Sequence, residues 1–177
     1  MPSPQSLDEG DRRLLAAWAA DCAERVLPLF EREAPDDGRP RDAIARTRAY
    51  ARGELTTAGE IRRRFVAGRA AAVVASAPAV ASARSAAHAS GVAHMGAHAL
   101  GAAGYAVAAV AADRPDAVAA ELDWQVQRMS LEVRAALRLL PALGSDAAGP
   151  LQAGGLLARG AVGSAITAIQ ARLAAED

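Results

Sequence analysis

His94 and His98 stand four residues apart in a stretch of alanine and glycine. On an α-helix this spacing puts two imidazoles on one face, about 40° apart around the axis. Such a pair can hold a transition metal jointly, but a structural zinc site takes four ligands and a catalytic one usually three from the protein. The third histidine, His88, falls about 120° from His94 on an ideal helix, so one unbroken helix cannot gather all three. A further ligand would have to come from Asp113, Glu54 or Glu60. The plainer reading is that the histidines pack between alanine helices and bond to neighbouring polar groups. On that reading no metal and no cofactor is expected, and the imidazoles are candidates for contact with a partner or small ligand.

Arg62, Arg63, Arg64 and Arg69 form a basic stretch. Either nearby carboxylates neutralise it as a solvated face, or its guanidinium forks suit the carboxylates of an acidic partner. Asp21, Glu24 and Arg25 have the i, i+3 and i, i+4 spacing of ordinary helix-surface charges. Trp18 and Trp124 sit at core spacing, although a partly exposed tryptophan would be a binding hot spot. Cys22, the single cysteine, lies between Trp18 and Val26 and reads as a small core residue. There is no GxGxxG, GxxxxGK[ST], HExxH or GxSxG motif, nor strands to carry them, which weighs against most common enzyme classes.

The elements that must position these residues read as helices. Ser6 and Glu9 have the spacing of a capping box ahead of Leu14, Leu15, Trp18, Cys22, Val26, Leu29 and Phe30, which recur at helical period. Pro28 should kink that helix near its last turn. Arg39 and Pro40 open a second helix that Gly53 ends. Thr57 and Glu60 are a second capping-box pair, predicting a third helix through Phe65 to about Ser76. Pro78 begins an alanine-rich helix, with a break expected near Gly91 or Gly96, since glycine costs about 1 kcal/mol in a helix interior. Asp113–Asp116 is a turn; a helix then carries Val118, Leu122, Gln125 and Met129 along one face, with Ser130 capping a continuation. Residues 141–150 read as a linker, followed by a glycine-rich tail with a short helix from about Ala161 to Ala174. The expected fold is all-α: a compact bundle of about six to eight helices around an alanine-rich central pair. Its division would be a helical domain over 1–140 and a linker with a C-terminal helix over 141–177.

Composition bounds the function. The chain has 177 residues, of which 52% are hydrophobic, enough for a real core. Its formal net charge is +0, which argues against binding bulk nucleic acid or an anionic membrane through overall charge. Aromatics are 3%, too few for a base-stacking platform. The 49 alanines and the absence of lysine suggest a GC-rich bacterial genome. The N-terminus lacks the order of a signal peptide. The uncharged stretch from Ser85 to Ala112 is poor in large aliphatics and holds three histidines, so it reads as a buried bundle centre and the protein as cytoplasmic.

Asp11-Arg12-Arg13 and the run from Trp18 to Phe30 (WAADCAERVLPLF) resemble the opening of the immunity-protein-five-like helical family of bacterial polymorphic toxin systems. The resemblance continues through Asp37, Arg39-Pro40-Arg41, Ala43-Ile44 and Arg52-Gly53-Glu54-Leu55. It strengthens at Ala93-His94-Met95, His98 to Ala102 and Tyr105-Ala106, then reaches Trp124-Gln125 and Val133-Arg134. Val107-Ala108 departs from the Lys-Ala step of the family pattern, and the tail from Pro141 lies outside it. The resemblance implies a cytosolic helical protein that binds a cognate toxin domain and blocks it, and it brings no catalytic residues. The binding candidates are His88, His94, His98, Trp18, Asp21, Arg25, Tyr105, Trp124, Arg62 and Arg63. The expected partner is a protein, with no nucleic acid and no membrane; the oligomeric state is left open.

Overall fold

A computed structural model describes residues 3–175. Eight α-helices account for most of the described residues: α1 (Glu9–Glu31), α2 (Arg39–Ala51), α3 (Thr57–Arg63), α4 (Ala77–Gly91), α5 (His98–Asp113), α6 (Val118–Gln127), α7 (Leu131–Arg138) and α8 (Gly160–Ala174). Among the described residues there is no strand, only a single bridge between Asp146 and Gln152. The all-α expectation holds.

Alanine decides the centre. α4 and α5 run antiparallel, joined by six residues, and Ser85 donates across the pair to the Ala102 carbonyl at 2.8 Å. Ala83, Ala86, Ala99, Ala102, Ala103 and Ala106 are wholly buried, so side chains of one carbon let the backbones approach closely. α1 lies across this pair, and Ser82 of α4 donates to the Val26 carbonyl at 2.8 Å. On the other side α8 packs on α5 through Val162 and Ile166, which fill the space left by Gly104. Residues 141–175 join the same core through Leu151, Leu157, Val162, Ile166, Ile169 and Leu173. No described helix is long and apolar enough to cross a membrane.

Three helix starts differ from, or refine, the sequence reading. Ser6 does not cap α1: its carbonyl accepts from Gly96 N, and the chain turns at Leu7 (φ 56°) before Asp8 caps Asp11 N at 2.8 Å. Thr57 does not cap α3 either. Thr56 bonds Gly59 N at 3.2 Å, while Glu60 is buried and taken by Arg46 at 2.5 Å. Ser130 does cap α7, bonding Val133 N at 3.3 Å. The third helix stops at Arg63 instead of reaching Ser76, and residues 67–72 form a 3-10 helix. With three residues per turn, Ala67 and Ala70 share one face, and both are buried. Phe65, placed in the expected helix, is left 61% exposed.

The N-terminal segment ties the tail down. Gln5 is fully buried; its amide nitrogen donates to Asp146 Oδ2 at 2.6 Å and the Ala148 carbonyl at 2.8 Å, while its oxygen accepts from Leu151 N at 2.9 Å. Gly149 passes so close that a Cβ there would lie 2.8 Å from Gln5 Oε1, at a φ of +87°.

Candidate functional site

Four of the nominated residues meet where α1 crosses α6. Trp18 is buried, and its indole N–H donates to the Gln125 carbonyl at 2.9 Å. Arg25 pairs with the buried Glu121 at 2.7 Å and lays its guanidinium 4.2 Å from the centre of the half-buried Trp124 ring. Gln125 completes the layer, donating to Glu121 at 3.1 Å and to the Ala103 carbonyl at 3.2 Å. Asp21 takes Arg48 at 2.6 Å and Arg128 at 3.1 Å, and Glu24 takes Arg48 at 2.5 Å. The sequence reading treated Asp21, Glu24 and Arg25 as charges of one helix surface. Instead each pairs beyond its own helix: Arg48 of α2 reaches the Asp21 and Glu24 carboxylates, Arg128 at the end of α6 reaches Asp21, and Arg25 itself reaches across to Glu121 of α6. Cys22 is fully buried, and burial pushes its thiol well above the usual range.

Beside this layer lies an open groove of about 780 Å³ between α1, the end of α2 and the start of α7. Its apolar lining includes Leu14, Ala17, Trp18, Ala51 and Val133, and Asp8 and Asp11 stand at the α1 N-terminus. Leu14 is 39% exposed here, and Leu131, next to the lining residue Ser130, is 81% exposed. Burial and the neighbouring Asp8 push the Asp11 carboxyl up. The sequence reading did not single out the groove. Its one signal was the Leu14-Leu15 step: two adjacent leucines on a helix cannot both face the core, and Leu15 is the buried one.

The histidines rearrange the expected pairing. His94 and His98 do not share a helix. The helix breaks after Gly91, leaving His94 exposed in the connection and His98 at the start of α5. The antiparallel return brings His88 and His98 together, with their Nδ1 atoms 3.0 Å apart. The His94 ring stays 6.5 Å from that of His98, centre to centre. Tyr105 stands against His88 at 5.2 Å between ring centres, and its hydroxyl accepts from Arg84 at 3.3 Å. Burial, His98 and then Arg84 lower His88 to about 3; burial, His94 and then Arg64 lower His98 to about 4. All three histidines line a cavity of about 360 Å³ with Met95, Gly149, Gln152 and Leu156. Asp113, Glu54 and Glu60 do not serve this site: Asp113 pairs with Arg32, Glu54 with Arg52 and Glu60 with Arg46. Among the described residues no group of three or more His, Cys, Asp or Glu has metal-holding geometry.

Arg62 and Arg63 lie apart from both clusters, exposed at the end of α3, with Arg63 3.4 Å from Asp42.

A model of the Imm-5 like putative immunity proteins matches residues 5–132. The chain belongs to this family. The Imm-5 like segment contains all ten nominated residues and runs from α1 to the start of α7. It stops short of residues 149–157, which form the far wall of the histidine cavity. Membership supports an immunity-type role. No curated protein and no solved structure matches the chain.

Proposed function

We propose that this protein binds a cognate bacterial toxin domain in the cytoplasm and neutralises it, with no catalysis of its own. Family membership over residues 5–132 carries the reading. The groove on α1 is the surface that fits it, because the exposed Leu14 and Ala17 offer an apolar floor inside a charged rim. That is the arrangement of a protein-binding hot spot, in which a desolvated centre is ringed by polar groups. The partner is a protein rather than nucleic acid or membrane, consistent with a formal net charge of +0.

The test is co-expression with the toxin domain encoded beside the gene. The wild-type chain should restore growth and co-purify with the toxin at a fixed stoichiometry. Leu14→Asp, which places a charge on the groove floor, should weaken the complex at least tenfold while leaving the fold intact by circular dichroism. Growth arrest despite abundant folded wild-type protein, with no complex, would overturn the proposal. Full protection by Leu14→Asp would move the interface elsewhere.

A further inference from the structure

The histidine cavity is not used by the toxin-binding reading. His88 and His98 both line it, and their Nδ1 atoms bond to each other at 3.0 Å. That bond fixes the tautomers. Both rings are neutral at neutral pH, so one Nδ1 carries the shared proton and the other accepts it. The donating ring keeps a lone pair on Nε2, and the accepting ring carries Nε2–H. Neither Nε2 bonds to a protein group among the described residues, and neither is shut off from solvent, so both are open to a ligand. The rings are also held in place. A Cβ at Gly91 would lie 2.9 Å from His98 Cγ, and Tyr105 stands against His88. Such preorganisation is what a binding site requires.

Charge selects the ligand. No Asp or Glu lines the cavity, and Asp146 of the facing segment is tied to Gln5 at 2.6 Å. The charge of Arg84 is felt at His88, and those of His94 and Arg64 at His98. Neither arginine has a carboxylate partner among the described residues. Arg64 donates to the Ile61 carbonyl at 2.6 Å and lies over the Phe65 ring, while Arg84 donates to the Tyr105 hydroxyl at 3.3 Å. The field at the rings is therefore positive and uncompensated. The remaining wall is largely apolar, with Met95, Pro150, Leu156 and Leu157, and the volume of about 360 Å³ falls within the range of small-molecule sites. We propose that this cavity binds a small organic carboxylate, its oxygens taken by the Nε2 edge of the His88–His98 pair and its apolar body laid against Met95, Leu156 and Leu157. A lone pair facing a carboxylate is repulsive, so binding draws one proton onto the pair, after which both Nε2 atoms donate. The anion supplies the negative charge that burial and the two arginines deny to an imidazolium. Affinity therefore rises as the pH falls from 8 toward 5, by up to about tenfold per unit, because one proton enters with the ligand.

The experiment titrates the untagged full-length chain with isocaproate, by calorimetry in two buffers of different ionisation enthalpy. Long-range proton–nitrogen correlation spectra of isotopically labelled protein read the ring nitrogens directly, and the chain has only three histidines. One saturable equivalent is expected, with a Kd of about 1 mM for so small a ligand. One proton should be taken up, and the lone-pair signals of His88 and His98 should be lost on binding. Isocaproamide, of the same shape but uncharged, should bind at least tenfold more weakly. His88→Asn and His98→Asn should each weaken isocaproate binding at least tenfold. The spectra need no substitution, so the test stands even if a variant fails to fold. No saturable binding up to about 10 mM would overturn the proposal. So would binding that leaves the His88 and His98 signals unchanged, or equal binding of the amide. The result is independent of toxin protection: a chain that protects but binds no carboxylate refutes this site alone.

Discussion

Replacing Gly101 with alanine should destabilise the protein, although alanine is the better helix former. Gly101 sits in the second turn of α5 and faces the His88 ring. A Cβ there would strike Nδ1 of that ring hardest and would lie 2.8 Å from its Cγ and 2.9 Å from its Cε1, so the imidazole must retreat by about 1 Å to restore ordinary contact. It has little room to do so, since His98 is 3.0 Å away at Nδ1 and Tyr105 stacks beside it. Overpacking of this kind costs about 1–3 kcal/mol. Losing the imidazole–imidazole hydrogen bond adds about 1 kcal/mol, and the helix propensity of alanine returns about 1 kcal/mol. The net loss is about 1–3 kcal/mol, a fall in Tm of about 3–10 °C for a chain of this size. Thermal and urea unfolding of the wild type and Gly101→Ala measure it. The same substitution in a His88→Ala background should be neutral or stabilising, because the ring it strikes is gone. A Tm at or above wild type for the single variant would refute the packing argument, as would an equal loss in both backgrounds.

Acid should weaken the fold through the same pair. His88 and His98 titrate at about 3 and about 4 in the folded protein, against about 6.5 in the unfolded chain. The unfolded chain therefore takes up protons first. The contribution is complete above about pH 6.5 and is lost as the pH falls toward the folded values, by at most about 4 kcal/mol between pH 7 and pH 5. Urea unfolding at both values should show the loss, and an unchanged difference in a His88→Asn/His98→Asn variant would sink the assignment. Arg25→Ala should cost about 3 kcal/mol, because it strands the Glu121 carboxylate, 4% exposed, without its cation. Glu121→Gln should cost less in the same unfolding assay, and the reverse order would refute the account. A chain ending at Ala158 should not fold cooperatively. Burial of Val162, Ile166, Ile169 and Leu173 is worth about 6–12 kcal/mol, comparable to the whole stability of a domain. A cooperative melt of the truncated chain would contradict this.

Much of the architecture is legible without coordinates, because helix signals act locally. Periodicity from Leu14 to Phe30 marks α1, Pro40 marks the start of α2 and Gly53 its end, and the interruption after Gly91 separates the central pair. The caps are less legible. Ser6 and Thr57 have suitable chemistry, but the choice fell to Asp8 and Thr56 because Ser6 is committed to Gly96 and Glu60 to Arg46. The family signature is also a local property, carried by runs of residues such as WAADCAERV and the histidine block.

The sequence by itself determined the helical class, the alanine-rich centre and the family, since composition, periodicity and short motifs need no partner in space. Only the tertiary structure decided which residues meet. Spacing paired His94 with His98, but the turn after Gly91 reverses the chain and gives His98 to His88 instead. Charges three and four apart on α1 find their partners on α2 and at α6, Asp21 taking Arg48 and Arg128 while Arg25 takes Glu121. Gln5 carried no sequence signal, yet it fastens the tail, because a buried amide is satisfied only by backbone and side-chain groups about 140 residues away. Contacts of that kind depend on how the helices are returned and stacked, and no local pattern in the chain encodes them.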